Sequence, residues 1–376
     1  MRIAIDARLF GLEHTGIGRY VKKLVEGISS SDSPHDFIFF VRPPHHHEIK
    51  STQKCQVVVA DIGHYTLKEQ FVLPKLITRE HVDLVHFPHF NVPFLYRAPF
   101  IVTIHDLLWH NVLGFSVTTL DPLRYAVKYL GYRLVVRHAV STAEKIIVPS
   151  LWVKKELEER FKLPDEKTVV TSEGVDRNFS GNLPSLLQPE ITQPYLVYTG
   201  SLYPHKNVLT LLKALSLINQ KLTPKMTLVL VSTRSIFTAK ILAEAKSLGL
   251  SAWVKHLGFL EDTSLASLYS QSLAVIEPST SEGFGLTGLE AMAASCPVIA
   301  ARATALPEIY GHAALFFEPK NHEELAAQIQ SLLKDPRQRL KLIKLGRAQA
   351  QKYTWEKMVN ATLRVYDEVV GTNREQ

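Results

Sequence analysis

Short apolar runs alternate with helical patterns along the chain. The runs at Arg2–Asp6, Phe37–Val41, Gln56–Val59, Leu84–Phe87, Phe100–Ile104 and Lys145–Val148 lack the strict alternation of a half-exposed strand. Parallel strands covered on both faces look like this. Ile17–Ile28 and Pro122–Val140 carry apolar residues at helical spacing between them. This βαβ rhythm predicts a doubly wound sheet. It pauses over Asp176–Pro194, DRNFSGNLPSLLQPEITQP, where Pro, Ser, Gly and Asn mark a linker. Strands resume at Tyr195–Thr199, Thr227–Val231, Val254–Leu257, Ala274–Pro278, Pro297–Ala300 and Ala314–Phe317. Helices at Leu209–Asn219, Thr238–Leu248, Thr263–Ser270 and Glu323–Leu333 separate them. Two α/β domains are therefore predicted, 1–180 and 195–354, joined by a linker at 181–194. Residues 355–376 hold a last helix, Trp355–Val370, for which packing back on the N-terminal domain stays open. Open α/β sheets bind ligands beyond the carboxyl ends of their strands. Two such domains facing each other would leave a cleft there.

Composition narrows this only a little. The 376 residues are 46% hydrophobic and 21% charged, a globular balance. A net charge of +7 favours an anionic partner: a nucleotide, a phospholipid surface or nucleic acid. No recognised motif or basic stripe supports nucleic acid. Cys55 and Cys296 make neither a disulfide framework nor a metal cluster and read as buried small hydrophobes in a reducing compartment. The opening MRIAIDARLF carries charges inside its apolar run, unlike a signal peptide, and no apolar run reaches the roughly eighteen residues of a membrane span. A cytoplasmic location is expected.

Chemistry-bearing residues cluster just after strands. In PSTSEGFGLTGLEAMAASCPVIA, 278–300, Glu282 and Glu290 are split by Gly283, Phe284 and Gly285. Leu286, Leu289, Met292 and Ala293 then recur at helical spacing, so a helix begins near Gly285 or Thr287. That places Glu282 on a loop and Glu290 one turn into a helix whose amide start suits phosphate. Glu290 suits a ribose diol, since a carboxylate accepts two hydroxyl hydrogen bonds. Spacing alone fits a solvated loop acid and a helix-surface acid equally well. In TGSLYPHKNVLTLL, 199–212, Gly200 permits a tight turn and Lys206 stands at a helix entrance, as a diphosphate partner or as an ordinary surface lysine. HTGIGRYVKKLVEGI, 14–28, offers Gly16 and Gly18 as a close backbone approach to a diphosphate, but Val21 breaks the dinucleotide fingerprint. Arg19 and Tyr20 read as ligand contacts or as helix surface and packing. His105 closes a buried strand, where a lone histidine is more often structural. DPLRYAVKYLGYRLVVRHAV, 121–140, mixes Arg124, Lys128, Arg133 and Arg137 with Tyr125, Tyr129 and Tyr132. It fits either an anionic bilayer surface or a solvated basic face with core tyrosines.

Glu282-Gly-Phe-Gly through Glu290-Ala resembles the E-x₇-E motif of retaining glycosyltransferases of family 4, which have the GT-B fold of two Rossmann-like domains. The resemblance covers nearly the whole chain. It implies that Glu290 holds the nucleotide ribose and that Glu282 approaches the donor sugar. The backbone of Gly283, Phe284, Gly285, Leu286 and Thr287 would meet sugar hydroxyls and phosphate. Lys206 matches the family's lysine in a K-N pair, but Ser201 stands where an arginine is often found. Serine does not replace an arginine fork, so either the diphosphate grip is weaker here or Arg8 or Arg19 supplies the missing charge. The T-G-I-G-R-Y loop implies donor phosphate and acceptor contacts through Gly16, Gly18, Arg19 and Tyr20. His105 would lie beside the donor sugar as a polar contact, and His89 and Asn91, in HFPHFNVP, join Arg8 on the acceptor side. Backbone groups of Gly258–Leu260 would edge the base. Ser295 stands where the family usually has a helix-ending glycine, a left-handed position that costs about 1 kcal/mol.

The resemblance implies hexosyl transfer, with mannose from GDP-mannose favoured, to a glycan or lipid-linked acceptor in surface-polysaccharide or lipopolysaccharide assembly. Basic groups, not a metal, are expected to meet the diphosphate charge, and no cofactor beyond the nucleotide-sugar co-substrate is implied. A sugar-nucleotide epimerase and a non-catalytic sugar-nucleotide-binding subunit are the alternatives. Lipid-linked acceptors would bring the protein to the inner face of the plasma membrane.

Overall fold

Strands rich in Val, Ile and Phe and flanked by amphipathic helices leave little choice but parallel sheets covered on both sides. The computed structural model describes residues 1–11, 15–111, 121–181, 191–233 and 235–374. One unit comprises Met1–His110, Leu120–Gly174 and Trp355–Gln376, and the other is built chiefly on Val175–Thr354.

In the first unit the elements are β1 (Arg2–Asp6), α1 (Thr15–Ser29), β2 (Asp36–Val41), β3 (Cys55–Val59), α2 (Leu67–Arg79), β4 (Leu84–Phe87), β5 (Phe100–Thr103), α3 (Leu108–Asn111), α4 (Pro122–Thr142), β6 (Lys145–Val148), α5 (Leu151–Phe161) and β7 (Thr168–Val170). All strands are parallel, in the order β3-β2-β1-β4-β5-β6-β7. Ser150 caps α5, its Oγ accepting the Val153 amide at 3.3 Å. The apolar pattern does not announce β7, three residues long beside a charged Asp-Glu-Lys turn.

The second unit runs β8 (Tyr195–Thr199), α6 (Val208–Lys221), β9 (Thr227–Val231), α7 (Ile236–Ser247), β10 (Val254–His256), α8 (Asp262–Gln271), β11 (Ala274–Glu277), α9 (Leu286–Ala293), β12 (Val298–Ala301), α10 (Leu306–Tyr310), β13 (Ala314–Phe317), α11 (His322–Lys334) and α12 (Pro336–Ala350). Its parallel sheet is ordered β10-β9-β8-β11-β12-β13. Ser295, past α9, takes φ +65°, and its Oγ accepts from Arg347 Nε at 2.6 Å.

After Thr354 the chain rejoins the first unit as α13 (Trp355–Arg374). Met358, Val359, Val365, Tyr366 and Val369 enter the same core as Tyr20, Val21, Leu24, Val25 and Ile28 of α1. The helices approach so closely that a Cβ on Gly27 would fall on Val359. No described helix is long and apolar enough to cross a membrane.

Candidate active site

Each sheet is wound outward from a pair of central strands: β1 and β4 in the first unit, β8 and β11 in the second. Such switch points leave room for a ligand beyond the strands' carboxyl ends. In the second unit β8 ends at Thr199, Gly200 donates its amide to the Val231 carbonyl at 3.0 Å, and the Ser201 carbonyl accepts the Tyr198 hydroxyl. A turn of 3₁₀ helix, Pro204–Lys206, then carries Lys206. Asn207 follows in a left-handed conformation, φ +56°. Its Nδ2 donates to the carbonyls of Pro278 and Pro319, and its Oδ1 accepts the Thr210 hydroxyl at 2.7 Å. One amide side chain thus ties the loops leaving β8, β11 and β13. Thr280 adds a second tie, donating its amide and hydroxyl to the His205 carbonyl at 2.8 and 3.0 Å.

These ties fix Lys206 against Glu282, and Lys206 Nζ donates to Glu282 Oε1. Both side chains keep a solvent-facing edge, 21% and 17% exposed. Burial pulls the Glu282 carboxyl up, but the Lys206 ammonium outweighs it and holds the group below the usual carboxylate range. Thr304 fixes the backbone here, accepting the Glu282 amide at 2.8 Å and donating to its carbonyl at 2.9 Å. At the end of β11, Glu277 is buried, and its Oε1 accepts the Ser279 hydroxyl at 2.8 Å. Burial, then the Glu282 charge, push its carboxyl up to about 7 against the pull of Lys206. Burial, with Lys206 adding to it, holds the His205 imidazole down at about 4.

Gly285 starts α9 with φ +96°, and its carbonyl accepts the Tyr310 hydroxyl at 2.7 Å. A Cβ there would lie 2.6 Å from both that hydroxyl and Leu306 Cδ2. Gly288, one turn on, faces the same ring. Glu282 lies on the loop and Glu290 in the helix, as the intervening glycines predict. Glu290 is buried, and its charge reinforces the upward push that burial gives the Tyr269 hydroxyl. Phe284 is buried edge-on to Tyr353, so its side chain belongs to the core and only its backbone is left for a ligand. Leu286 and Thr287 are half-buried, Gly283 buried. Gly258 follows the edge strand β10 at φ +74°, with Leu260 half-buried beside it.

In the first unit Tyr20 is buried on α1, 3.2 Å from the Thr103 hydroxyl and edge-on to the His105 ring. His105 meets two acceptors, the Pro88 carbonyl at Nε2 and Glu173 Oε1 at Nδ1, both at 3.1 Å. His86, fully buried on β4, bridges the Tyr366 and Thr103 hydroxyls at 2.7 and 2.8 Å. Burial drives its imidazole down to about 3.

Two family descriptions match this architecture. Glycosyltransferase Family 4 matches residues 14–179 and Glycosyl transferases group 1 matches residues 187–349, one in each unit. The chain belongs to the GT-B glycosyltransferases. The O-antigen chain mannosyltransferase B of Escherichia coli is 29% identical to this glycosyltransferase over 297 residues, 77% of this chain and 75% of that protein. Among solved structures, sucrose-phosphate synthase from Thermosynechococcus elongatus matches with a TM-score of 0.78 at 21% identity, covering 99% of this chain and 100% of that one. HepE of Anabaena, crystallised with UDP and glucose, matches with a TM-score of 0.74 at 20% identity, covering 97% and 99%.

The structure bears on several of the sequence expectations for this glycosyltransferase. Arg8 is not a spare cation. Its Nε and Nη2 each reach Asp6 at 2.7 Å, Nη2 reaches Glu69 Oε1 at 2.7 Å, and Nη1 donates to the Ile62 carbonyl at 3.1 Å, with the side chain wholly enclosed. Asn91 joins this network through Glu69 Oε2 at 2.7 Å. Neither side chain is open to an acceptor. His89 stays half-buried, its Nδ1 facing the Asn91 amide, and burial drives it down to about 3. Gly16 and Gly18 lie within the first turns of α1, not on a loop before it, with Arg19 half-buried after them; residues 12–14 fall outside the described set. On α4 the tyrosines turn inward: Tyr125 is buried, and the Tyr132 hydroxyl meets His110 Nδ1 at 2.8 Å. The outer face carries Leu123, Val127, Leu130 and Leu134, 75%, 66%, 60% and 52% exposed, among exposed Arg124, Lys128, Arg133 and Arg137.

Glu277, Asn207 and Thr304 complete the strand-end cluster, and sequence reading passes over them. Glu277 looks like a polar terminus to an apolar run. Asn207 looks like half of a lysine–asparagine pair. Only tertiary contacts show what either side chain holds.

Proposed function

We propose that this glycosyltransferase moves a hexose, mannose by preference, from a nucleotide-diphosphate sugar to a glycan or lipid-linked acceptor in surface-polysaccharide assembly, with retention at the anomeric carbon. The observation that carries the reading is the Lys206–Glu282 pair at the switch point of the second sheet, with buried Glu290 on the adjoining helix. The mannosyltransferase relative supports mannose and O-antigen-type polymers. The nucleotide in the HepE crystal supports a nucleotide-sugar donor, although there it is UDP. On this reading Glu290 accepts the ribose hydroxyls and Glu282 orients the donor sugar. Lys206 and the amides opening α9 stabilise the charge growing on the leaving diphosphate, in place of a metal. The leaving phosphate helps deprotonate the acceptor.

Screening nucleotide sugars for thermal stabilisation tests the donor, because a ligand of the native state raises the melting point. GDP-mannose is expected to give the largest shift. Glu290→Gln loses at least one charge-assisted bond to the ribose and is expected to weaken donor binding about tenfold or more. Unchanged donor affinity would overturn the ribose role. Lys206→Ala is expected to slow transfer by about 10²-fold. Activity that persists in EDTA would support the metal-free reading, and a strict Mg²⁺ requirement would refute it.

We further propose that the outer face of α4 rests on an anionic membrane, at its inner, cytoplasmic side. Exposed leucines beside arginine and lysine suit an interface where apolar groups bury and cations meet lipid phosphate. Co-sedimentation with vesicles rich in anionic lipid, lost on Leu130→Ser and Leu134→Ser at unchanged melting point, is the expected result. Equal sedimentation of variant and parent would refute it.

A further inference from the structure

Glu277 and Glu282 both lie at the end of β11, and the field of one ammonium, Lys206, reaches both. Glu282 takes Lys206 directly. Glu277 lies behind, only 3% exposed, with the Ser279 hydroxyl on its Oε1. The groups electrostatically coupled to it come from four elements. Lys206 and Tyr198 stand on the β8 side, Glu282 on its own loop, Tyr269 on α8 and Tyr310 on α10. His205 acts on Glu282, and Glu290 acts on Tyr269. Among the described groups that act on Glu277 itself, Lys206 is the cation. Burying two ionised carboxylates against one ammonium leaves a net negative charge in a desolvated place, which is costly.

An anionic ligand at Lys206 worsens that imbalance. We propose that Glu277 is a proton-linked positioning residue: it takes up a proton from solvent as a donor diphosphate engages Lys206, so that Glu282 alone keeps its negative charge and faces the sugar. The proposal rests on the reading of Lys206 as the diphosphate partner. Glu277 touches neither sugar nor phosphate in it. Its part is to keep the charge of the cluster constant while Lys206 takes on the diphosphate. Because burial and Glu282 already lift the Glu277 carboxyl toward neutrality, the uptake falls in a physiological window. Donor affinity then falls as pH rises, since above neutrality the proton must be gathered along with the ligand.

Two measurements on the full-length protein test this. GDP-mannose, with UDP-glucose in parallel, is titrated by calorimetry between pH 6 and 8.5 in buffers of different ionisation enthalpy. Neither sugar nucleotide has a phosphate that titrates in this range. The expected result is an affinity about tenfold weaker at pH 8.5 than at pH 6, with net proton uptake near pH 7.5. Glu277→Gln should abolish both. Ser279→Ala, which removes a bond favouring the ionised form, should move the profile to higher pH. The second measurement needs no ligand. A folded-state carboxyl raised above its unfolded value lends stability at low pH that is lost as pH rises through the folded value. The wild type should therefore lose melting temperature relative to Glu277→Gln between about pH 5 and 8. Binding without pH dependence, or parallel melting curves for the two proteins, overturns the role of Glu277 and leaves the transferase reading standing. Failure of both nucleotide sugars to bind at every pH overturns the donor reading and this proposal with it, whatever the melting curves show.

Discussion

Replacing Arg8 by methionine removes the cation that meets two buried carboxylates. The guanidinium makes a two-point contact with Asp6 at 2.7 Å, a third bond to Glu69 at 2.7 Å and a fourth to the Ile62 carbonyl at 3.1 Å. Methionine fills much of the volume and supplies none of these donors. Glu69 is wholly buried and Asp6 is only 6% exposed, so water does not take over. Breaking such a network by deleting one partner costs about 3–5 kcal/mol. For a unit of this size that is a fall in melting temperature of roughly 6–20 °C. The pH dependence has a definite sign. Burial pulls the Asp6 carboxyl up, but Arg8 outweighs it and holds the group below its ordinary value. That contribution is present above the unfolded carboxylate value and is lost as pH falls through the folded one. The deficit of Arg8→Met is thus largest at neutral pH and shrinks toward pH 4, where the orphaned acids protonate. Thermal unfolding followed by circular dichroism at pH 7 and pH 4 measures it. A variant that melts within about 2 °C of the parent at pH 7 yet loses transfer would refute the structural role and return Arg8 to the ligand.

Asn207→Ala removes the ties to Pro278 and Pro319 and forces alanine to φ +56°. Donor affinity should fall more than tenfold while the melting point drops only a few degrees, and Asn207→Gly, free of the dihedral cost, should recover stability but not affinity. Gly288→Ala drives a methyl into the Tyr310 ring. It should cost about 1–3 kcal/mol by denaturant titration, with part regained in the double variant carrying Tyr310→Phe.

The order of strands and helices was legible because apolar runs and helical spacing report burial on a local scale. Most strand ends fall within a residue of the pattern. The chemistry was legible where spacing alone sets geometry: a loop acid, a glycine break and a helix acid gave the places of Glu282 and Glu290. It failed where a partner is remote. Arg8 reads as a free charge because Glu69 and Asn91 lie 61 and 83 residues away in sequence. On α4 the tyrosines and the leucines both recur at helical spacing, and only packing against Trp109 and His110 decides which set turns inward.

The return of α13 sets a timetable for synthesis. His86, at the centre of the first sheet, finds its Nδ1 partner on Tyr366, 280 positions later. The part of the α1 core that α13 fills stays open until Met358, Val359 and Tyr366 arrive. Nascent chains ordinarily complete their leading domain first. Here the leading domain is the last to be sealed, and it waits, hydrophobic side bare, while the trailing one has every strand it needs. A chain released at Thr354 carries a complete second unit attached to an unfinished first, the form that chaperones and proteases would meet.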